Sequence, residues 1–469
     1  MTTDSPALLS ALYFYPRGGS AHAARAISAE LGRNGFDVTL LAGSRTDLGS
    51  HADATRFFDR VGLVPVDFTD ALASACPVRH DGGPGTAPMQ GSYEERPGAD
   101  DPVFAAIDDD TYELHVAAWA RELRGAGADD ADLLYLHHLT PLNEAASRFF
   151  GETPVIGHIH GSELLMLERI VAGAPASWVH AERWAARLHD WAGACDRLIV
   201  NSPEGLKRAA RVLDLDPERF VLIPNGFDPG FAPAEIDRRA HWTEHLVARP
   251  QGWRPGDAPG SVTYTNAEIE VLEGATTLLY CGRFTEVKRL PCLLGAYADA
   301  LPDFLLPTAL VLLGGFPGEW EGEHPLETIG RLGLEDVFLA GWHAQSALPE
   351  FLAAADVMVH PSVREQFGQA LVEAMACGVP PIAVDRGGPS TIVDAGRTGW
   401  LVEPDDRAAL AAAMLEAVND PAECRARGKS AREDALRRYT WGQIGASLGG
   451  ELREIHAGTR ARQSILSIR

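Results

Sequence analysis

The chain has 469 residues, of which 46% are hydrophobic, and it carries a formal net charge of -24. This length exceeds one ordinary hydrophobic core, so two domains are expected, and the apolar fraction is sufficient to fill both. The strong negative charge disfavours nucleic acid and anionic lipid as main partners, because both would be repelled.

The cysteine pattern and the N-terminal segment predict the cellular compartment in which the protein is located. The six cysteines are scattered without CxxC spacing, which is typical of reduced thiols rather than of a disulfide framework or a zinc site. The first twenty residues lack a basic start and a long apolar run, so we interpret them as a first strand and not as a signal peptide. No stretch approaches the roughly 18 apolar residues of a membrane span. We therefore expect a cytoplasmic protein without stable membrane association.

Short apolar runs alternate with longer amphipathic segments along the chain, which predicts parallel α/β layers. In the first half the predicted strands are residues 8–14, 38–41, 133–136, 155–158, 198–200 and 221–223, with helices that include 21–33 and 178–192. In the second half the predicted strands are residues 277–281, 311–313, 337–339, 357–360 and 381–384. This pattern predicts two Rossmann-like domains, each with its own sheet, facing each other across a cleft.

Two segments interrupt the alternation and set the predicted domain boundaries. Residues 76–110 are rich in Gly, Pro and Asp, so we expect an insertion in the first domain that could act as a lid on the acceptor side. Residues 233–274 mix Trp, Pro, Gly and charge and are predicted to be an elaborated interdomain linker. The domains are then 1–232 and 275–440, and residues 441–469 are predicted to form a helix that can cross back to the first domain.

The strongest chemical signal is the segment REQFGQALVEAMACGVPPIA, in which Glu365 and Glu373 are eight positions apart. Ligands of parallel sheets collect where strands end, and a helix that begins there directs free backbone amides at them. The predicted helix start comprises Phe367, Gly368 and Gln369. Eight helical residues rise about 12 Å. The two carboxylates therefore cannot flank one bond, but they can bind opposite ends of a long ligand. Two unrelated surface glutamates are the plain alternative.

A second signal is LLYCGRFTEVKRL, which places Arg283 directly after a strand and Lys288 five residues later. Two cations at one sheet edge of an acidic protein are what a diphosphate leaving group needs, because each stabilises the negative charge that grows as the glycosidic bond breaks. A solvated basic turn is the alternative interpretation.

The first half carries weaker signals at its strand ends. Gly18 and Gly19 form a tight turn before a helix, where backbone amides can approach a phosphate or an acceptor. His160 follows a strand and is expected to face the ligand, whereas His158 is expected to face the core. His138 and Asn201 also follow strands and are candidates for the acceptor side.

Two other patterns are interpreted as structural. The run Asp108–Asp110 precedes a predicted helix and is expected to cap it rather than to bind a metal. The tryptophans of residues 178–192 share one helix face and are expected to pack in the core.

These segments resemble retaining glycosyltransferases of the GT-B architecture, family 4 type, over most of the chain and most densely between residues 279 and 404. Glu365 to Glu373 is similar to the E-x7-E motif of that family, and Arg283 with Lys288 is similar to its donor-diphosphate pair. The Gly18-Gly19 turn and His160 resemble its acceptor-side glycine loop and active-site histidine. Thr391 departs from the pattern, since a glutamate is usual at its position.

The resemblance implies roles for the remaining candidates. Glu373 would bind the ribose hydroxyls, and Glu365 would bind the donor sugar with help from the amides of residues 367–369. The loop near the base would comprise Gly341, Trp342 and His343. The resemblance also implies that the diphosphate needs no metal and the enzyme no cofactor, because cationic side chains and a helix start replace the metal.

The sequence therefore predicts a metal-independent, retaining hexosyltransferase that uses a UDP- or GDP-sugar and a water-soluble acceptor such as a sugar, a cyclitol or a specialised metabolite. One alternative is a nucleotide-sugar epimerase or a phosphorylase-like enzyme of the same fold. Another is a non-catalytic protein that binds nucleotide-sugars. A dehydrogenase is disfavoured because no dinucleotide fingerprint occurs in a suitable place.

Overall fold

The structure is a computed structural model that describes residues 5–59, 61–95 and 99–466. The chain divides into two compact units, each of which is described by itself. The first unit comprises the chain up to Asn225 together with the segment from Trp441 onward, and the second comprises Gly226–Thr440.

The first unit is built on a parallel sheet in the order β3-β2-β1-β4-β5-β6-β7. Its strands are β1 Ala7–Leu12, β2 Asp37–Ser44, β3 Gly62–Asp67, β4 Leu133–His137, β5 Val155–His158, β6 Arg197–Val200 and β7 Phe220–Leu222. The helices between them are α1 Gly19–Arg33, α2 Ala54–Phe57, α3 Thr69–Leu72, α4 Asp109–Gly125, α5 Pro141–Phe149, α6 Ser162–Gly173, α7 Ala181–Ala194 and α8 Pro203–Leu213. The central strand β4 is buried along its whole length, as expected for a parallel sheet covered on both faces.

The second unit is built on a parallel sheet in the order β10-β9-β8-β11-β12-β13. Its strands are β8 Thr276–Gly282, β9 Thr308–Gly314, β10 Val337–Gly341, β11 Val357–His360, β12 Pro381–Val384 and β13 Trp400–Val402. Its helices are α9 Arg238–Trp242, α10 Val271–Gly274, α11 Leu290–Ala300, α12 Pro325–Leu332, α13 Leu348–Ala353, α14 Gln369–Ala376, α15 Pro389–Ile392, α16 Arg407–Asn419 and α17 Pro421–Arg438. A π-helical turn, Thr243–Ala248, continues directly from α9.

The last helix, α18 Trp441–Leu466, belongs to the first unit and packs on α1. Its apolar face, formed by Trp441, Ile444, Leu448 and Leu452, joins a core cluster that includes Ile27 and Leu31 of α1. Gly445 allows this close approach, because a Cβ atom there would lie 2.4 Å from the Cβ of Glu30.

Every predicted strand overlaps an observed one, although residues 13, 14 and 223 lie beyond the strand ends, and the sequence interpretation missed β3 and β13. β3 reads GLVPVD, so a glycine and a proline interrupt its apolar pattern. β13 has only three residues, which is too short for a periodic signal. Both strands lie at the edges of their sheets, where such sequences are tolerated.

The segment 233–274 differs from the predicted interdomain linker, since it is a packed part of the second unit. Trp242 and Leu246 are fully buried in one core cluster of this unit, and Trp253 is fully buried in another. The Trp253 indole donates a hydrogen bond of 2.9 Å to the carbonyl of Gly315. Its tryptophans, which broke the strand rhythm of the sequence, are core residues.

The predicted insertion 76–110 is likewise built into the core of the first unit rather than forming a separate lid. Met89, Tyr93 and Phe104 are buried in the main cluster of that unit. The Tyr93 hydroxyl donates a 2.6 Å hydrogen bond to the carbonyl of Leu139, directly after β4.

Candidate active site

Each sheet has one position where the strand order reverses, and most of the predicted site residues follow the strands that border it. In the second unit this position lies between β8 and β11, and in the first unit between β1 and β4. Loops after neighbouring parallel strands diverge there and leave a crevice at the carboxyl edge of the sheet, which is where open α/β sheets bind ligands.

In the second unit, a lysine, a histidine and a glutamate meet at this position. Lys288 follows β8 and makes a salt bridge through its Nζ atom to Oε2 of Glu365, which follows β11. The same oxygen lies 3.0 Å from Nε2 of His360, the last residue of β11. Burial alone would raise the pKa of Glu365, but the charge of Lys288 and the hydrogen bond from His360 outweigh it and hold the pKa well below its usual range. Glu365 is therefore an ionised carboxylate.

Arg283 directly follows β8 and is exposed. Its carbonyl accepts a 2.6 Å hydrogen bond from the Tyr280 hydroxyl, which fixes the backbone where the strand ends. Within the described chain, no carboxylate is paired with the Arg283 guanidinium. Lys288, in contrast, is already neutralised by Glu365, so Arg283 is the uncompensated cation of the predicted pair.

Glu373 lies on α14, buried to 4% exposure, and is held by two amide side chains. Its Oε1 atom accepts hydrogen bonds from Nε2 of Gln345 at 2.9 Å and from Nε2 of Gln369 at 3.2 Å. Gln369 also donates a 2.7 Å hydrogen bond to the carbonyl of Gly226. Burial raises the pKa of Glu373 to about 7, so its charge is poised near neutral pH.

The predicted helix start is present, and glycines of a neighbouring loop hold it in place. Gly368 has φ 114°, a conformation that glycine adopts at little cost, and α14 begins at the next residue. The backbone N–H of Gly388 donates a 3.0 Å hydrogen bond to the carbonyl of Glu365. A Cβ atom on Gly388 would lie 1.8 Å from the carbonyl oxygen of Phe367, so only glycine fits there.

Thr391, which departs from the family pattern, has a local structural role in the short helix α15. Its hydroxyl donates a 2.8 Å hydrogen bond to the carbonyl of Gly388, and its own carbonyl accepts one from Arg438. The loop thus keeps its shape without the usual glutamate.

The predicted base-side loop follows β10. Gly341 has φ 75°, and a Cβ atom there would lie 2.1 Å from the carbonyl oxygen of Gln251, so this loop packs tightly on the segment 233–274. Trp342 is exposed and stands edge-on to Phe316, with ring centroids 5.6 Å apart. Burial lowers the pKa of His343 to about 4, and its Nε2 lies 3.2 Å from the carbonyl oxygen of Ala340.

In the first unit, Gly18 and Gly19 lie exposed between β1 and α1. Gly18 has φ 75°, and a Cβ atom at either residue would meet no atom within 4 Å. The first turn of α1 contains no acidic residue. The amides of this first turn lack intrahelical acceptors, so they can donate hydrogen bonds to an anionic group.

Four histidine rings stack at the ends of β4 and β5. The His160 ring lies 4.1 Å from that of His158 and 4.4 Å from that of His138, and its Nε2 is 3.1 Å from Nδ1 of His137. Burial lowers the pKa of His160 well below its usual value, and the neighbouring histidines add to the effect. At neutral pH His160 is therefore an uncharged imidazole that can donate a hydrogen bond to a ligand or accept one from it.

Glu163, at the start of α6, organises this cluster. Its Oε1 atom accepts a 2.9 Å hydrogen bond from the His160 backbone N–H, and its Oε2 atom lies 3.5 Å from Nδ1 of His138. His138 has φ 68°, a positive value that is uncommon for a residue with a side chain. His158 is fully buried and bonded through Nδ1 to the Tyr135 hydroxyl at 2.8 Å, in agreement with a core position.

Asn201, the other candidate for the acceptor side, follows β6 and is 4% exposed. Its side-chain carbonyl oxygen is buried and has no hydrogen-bond partner. A buried acceptor without a partner is costly and is a position where a ligand donor can be satisfied.

Among the residues that the structure describes, two groups that contain histidines have a geometry that could hold a metal ion. They are His137 with His158 and His160 in the first unit, and His241 with His245 and Glu350 in the second. In the Asp108–Asp110 run, the Asp108 side chain caps α4 by accepting a hydrogen bond from the Thr111 N–H, and Asp109 pairs with Arg187. The prediction that this run caps a helix is confirmed.

The structure brings Lys288, Glu365, Phe367 and Gly368 together in the second unit and groups His138 with His160 in the first. Gly18 and Gly19, predicted with the donor-binding residues, lie in the first unit, whereas the other donor candidates lie in the second. The sequence interpretation missed His360, Gln345 and Glu163 as partners. His360 could have been found as a polar residue that ends a buried strand, whereas Gln345 carries no sequence signal.

Comparisons with known proteins place the chain in a family. Residues 265–434 match the family described as "Glycosyl transferases group 1", and residues 87–231 match "Glycosyltransferase Family 4". Together the two matches take in most of both units, so the chain belongs to the glycosyltransferases of family 4 type.

Among the relatives of this chain are a D-inositol 3-phosphate glycosyltransferase and an N-acetyl-alpha-D-glucosaminyl L-malate synthase. D-inositol 3-phosphate glycosyltransferase 2 of Catenulispora acidiphila is 30% identical over 263 residues, which cover 54% of this chain and 55% of that protein. N-acetyl-alpha-D-glucosaminyl L-malate synthase of Bacillus anthracis is 25% identical over 333 residues, which cover 70% of this chain and 75% of that protein. The chain thus spans about half the length of the inositol phosphate relatives that it matches.

Solved structures show the same fold over nearly the whole chain. Sucrose-phosphate synthase from Thermosynechococcus elongatus has a TM-score of 0.66 at 20% identity and covers 97% of this chain and 100% of its own. Anabaena HepE in complex with UDP and glucose has a TM-score of 0.64 at 17% identity and covers 95% of this chain and 99% of its own. The fold is therefore GT-B, with two Rossmann-like domains. Within the described residues, no helix combines the length and apolar content needed to cross a membrane.

Proposed function

We propose that this protein is a retaining, metal-independent glycosyltransferase that moves a hexosyl group from a UDP- or GDP-sugar to a small, water-soluble acceptor. The observation that carries the proposal is that Arg283 and Lys288 follow β8 and Glu365 follows β11, the two strands that border the strand-order reversal of the second sheet, and that α14 begins shortly after Glu365. Cations and free helix amides at one edge suit a nucleoside diphosphate with a sugar attached.

The two glutamates would bind opposite ends of the donor. Glu373 would accept hydrogen bonds from the ribose hydroxyls, and its pKa of about 7 allows the ligand to set its charge. Glu365 is ionised before the donor arrives and would accept hydrogen bonds from sugar hydroxyls. The Lys288 ammonium group would then leave Glu365 and pair with the diphosphate. Glu365 would accept hydrogen bonds from the sugar hydroxyls in place of the one from Lys288.

Transfer would proceed without a covalent enzyme intermediate. The bond between the anomeric carbon and the diphosphate oxygen breaks, and Arg283 and Lys288 stabilise the charge that develops on the departing oxygen. The acceptor hydroxyl attacks on the face that the diphosphate leaves, which retains the configuration, and its proton passes to the departing phosphate. Neither Glu365 nor Glu373 would act as the nucleophile, since each is engaged in binding a hydroxyl of the donor.

The acceptor side is proposed to lie in the first unit. The relatives are named for inositol 3-phosphate and malate, which are both small anions. The open amides after Gly18 and Gly19 suit an anionic group, and neutral His160 suits a hydroxyl. A non-catalytic protein that binds nucleotide-sugars is the second candidate, and the intact set of charged groups in the second unit argues against it.

The location is proposed to be the cytoplasm. All six cysteines are free thiols in the structure, which fits a reducing compartment.

A ligand panel tests the proposal. Thermal unfolding with UDP, GDP and ADP and their sugars should show a higher midpoint for one base, because a ligand that binds only the folded protein stabilises it. The selected sugar-nucleotide is then incubated with inositol phosphate and malate, and proton NMR of the product reports the anomeric configuration. An inverted product would contradict retention. If no nucleotide raised the midpoint, the proposal would fail entirely.

A further inference from the structure

A second cluster of titratable side chains lies in the second unit, outside the donor residues described above. His241 is the penultimate residue of α9, and His245 lies in the π-helical turn that follows this helix. Their rings are 4.6 Å apart, since residues four positions apart share one helix face. Glu350, on α13, completes the group: one ligand atom from each of these three residues lies within 4.8 Å of the others.

The cluster contains a buried polar atom that lacks a partner. His241 is 9% exposed, and its Nε2 atom has no hydrogen-bond partner. Leaving such an atom buried and unpaired is unfavourable. Contact with Phe351 explains the packing of these rings, at centroid distances of 4.7 Å from His241 and 4.6 Å from His245, but it does not satisfy this nitrogen.

The chemistry of the group matches a transition metal. A neutral imidazole has a lone pair on one ring nitrogen, so His241 and His245 can each supply one ligand atom. Two imidazoles and a carboxylate are a ligand set that zinc uses, with bonds of about 2.0 to 2.2 Å. The nearby cation Arg249 is paired with Glu244 and so is compensated.

The helix geometry also points to a site. A π-helical turn is rare and occurs frequently where a function requires it. Here it begins two residues after His241 and carries His245. The ring of His343 lies 5.0 Å from that of His245, and its Nε2 contacts the Ala340 carbonyl. That contact orients the ring in the way that second-shell partners orient metal-binding histidines.

We propose that His241, His245 and Glu350 bind a zinc ion, with water or His343 in the fourth position. The ion joins the π-helical turn of the segment 233–274 to α13 and thereby stabilises the second unit. Its role is structural, and it does not take part in sugar transfer. The proposal does not rest on the glycosyltransferase function, since zinc binding is measured without any sugar donor.

The test uses the full chain without a histidine tag, stripped with EDTA and dialysed. Calorimetric titration with zinc chloride should give about one ion per chain, and zinc should raise the thermal midpoint, because it binds the folded state. Cobalt chloride should give the visible absorption of a four-coordinate site.

Two variants locate the ion. His245→Gln and Glu350→Gln each remove one ligand from a partly or fully exposed position, so the variants should fold as the wild type does. Each should weaken zinc binding by at least about 10-fold, the lower bound for changes next to a metal. Glu335→Gln, an exposed glutamate of the same unit, is the matched control and should bind zinc as the wild type does.

Unchanged zinc affinity in both variants would overturn the proposal, because the ion would then be bound elsewhere, for example by His137, His158 and His160. Absence of saturable zinc binding by the wild type would also overturn it.

Discussion

At the scale of single residues, Glu373 has a raised pKa, which its sequence motif does not predict. The sequence marks it as one end of an eight-residue spacing, but burial raises its pKa to about 7 from an ordinary value of 4.5. The folded protein therefore holds a proton that the unfolded chain releases near pH 4.5. The stabilisation from this proton is complete below about pH 4.5 and is lost as the pH rises through 7.

Replacing Glu373 with Gln should therefore stabilise the free protein at high pH. The amide keeps an acceptor for Gln345 and Gln369 and does not ionise. Between pH 5.5 and pH 8.5 the free energy of unfolding of Glu373→Gln, relative to that of the wild type, should rise by about 2 kcal/mol. This value corresponds to the part of the pKa shift that lies between pH 5.5 and the folded-state pKa of about 7. Unfolding of both proteins across this range measures it. A difference that does not change with pH would contradict the buried-carboxylate explanation.

Arg283 is the uncompensated cation at the reversal of the second sheet, so its loss should affect turnover. Arg283→Ala should lower the turnover number by at least about 100-fold, the scale of removing one contact that stabilises transition-state charge. Arg331→Ala is the matched control, since Arg331 pairs with Glu323 on the surface of the same unit. Steady-state kinetics on both variants measure the effect, and similar rates for both would refute the assignment.

The site residues that could be predicted are those with distinctive chemistry at strand ends. Glu365, Lys288 and Arg283 stand out because charge follows an apolar run. Gln345 could not be found in this way, because a neutral amide in a loop is common and its contact with Glu373 depends on the tertiary fold. The neutralisation of Lys288 by Glu365 likewise depends on two loops that are 77 positions apart.

At the scale of elements, the turn before α14 depends on a loop distant in sequence. Gly387 and Gly388 follow β12 and pack against the backbone of Glu365 and Phe367. The sequence indicated this loop through its two glycines after a predicted strand and through its departure at Thr391. Its role in shaping the helix start became visible because Gly388 leaves no space for a side chain.

Gly388→Ala should displace the start of α14. The added Cβ would meet the Phe367 carbonyl oxygen, which belongs to the backbone and cannot move aside cheaply. We expect a loss of about 1 to 3 kcal/mol in stability, as for other overpacked sites, together with weaker donor binding. Gly330→Ala on α12 is the control, because a Cβ there meets nothing within 4 Å and alanine favours helix. Thermal unfolding with and without nucleotide compares them, and equal behaviour would contradict this role.

Long apolar runs in the sequence predicted the positions of the strands that they form. β3 and β13 were missed because they are interrupted or short edge strands. The segment 233–274 was misinterpreted as a linker because its tryptophans do not follow a regular period, although Trp242 and Trp253 are fully buried.

At the scale of the whole molecule, the charge of -24 makes a local cationic site informative, since any anionic donor must bind against the general field. The two-unit organisation followed from length and from two series of strands. The sequence predicted a closing helix that can cross back to the first domain, but its packing on α1 required the structure.

Removal of metal ions should distinguish a catalytic role of a metal from a structural one in this protein. After EDTA treatment the turnover number at 25 °C should be unchanged, because cationic side chains and a helix start act on the diphosphate. The thermal midpoint should fall, because the proposed zinc site is structural. Kinetics and thermal unfolding of the same sample test both expectations. Loss of turnover that magnesium or manganese restores would contradict a metal-independent transfer.

The central claim is that the cations after β8 recognise a diphosphate. Calorimetry of Lys288→Ala with the preferred nucleoside diphosphate and with its parent nucleoside tests this claim most directly. We predict at least about 10-fold weaker binding of the diphosphate, the scale of one charged hydrogen bond, and unchanged binding of the nucleoside. Equal diphosphate affinity in the variant and the wild type would contradict it.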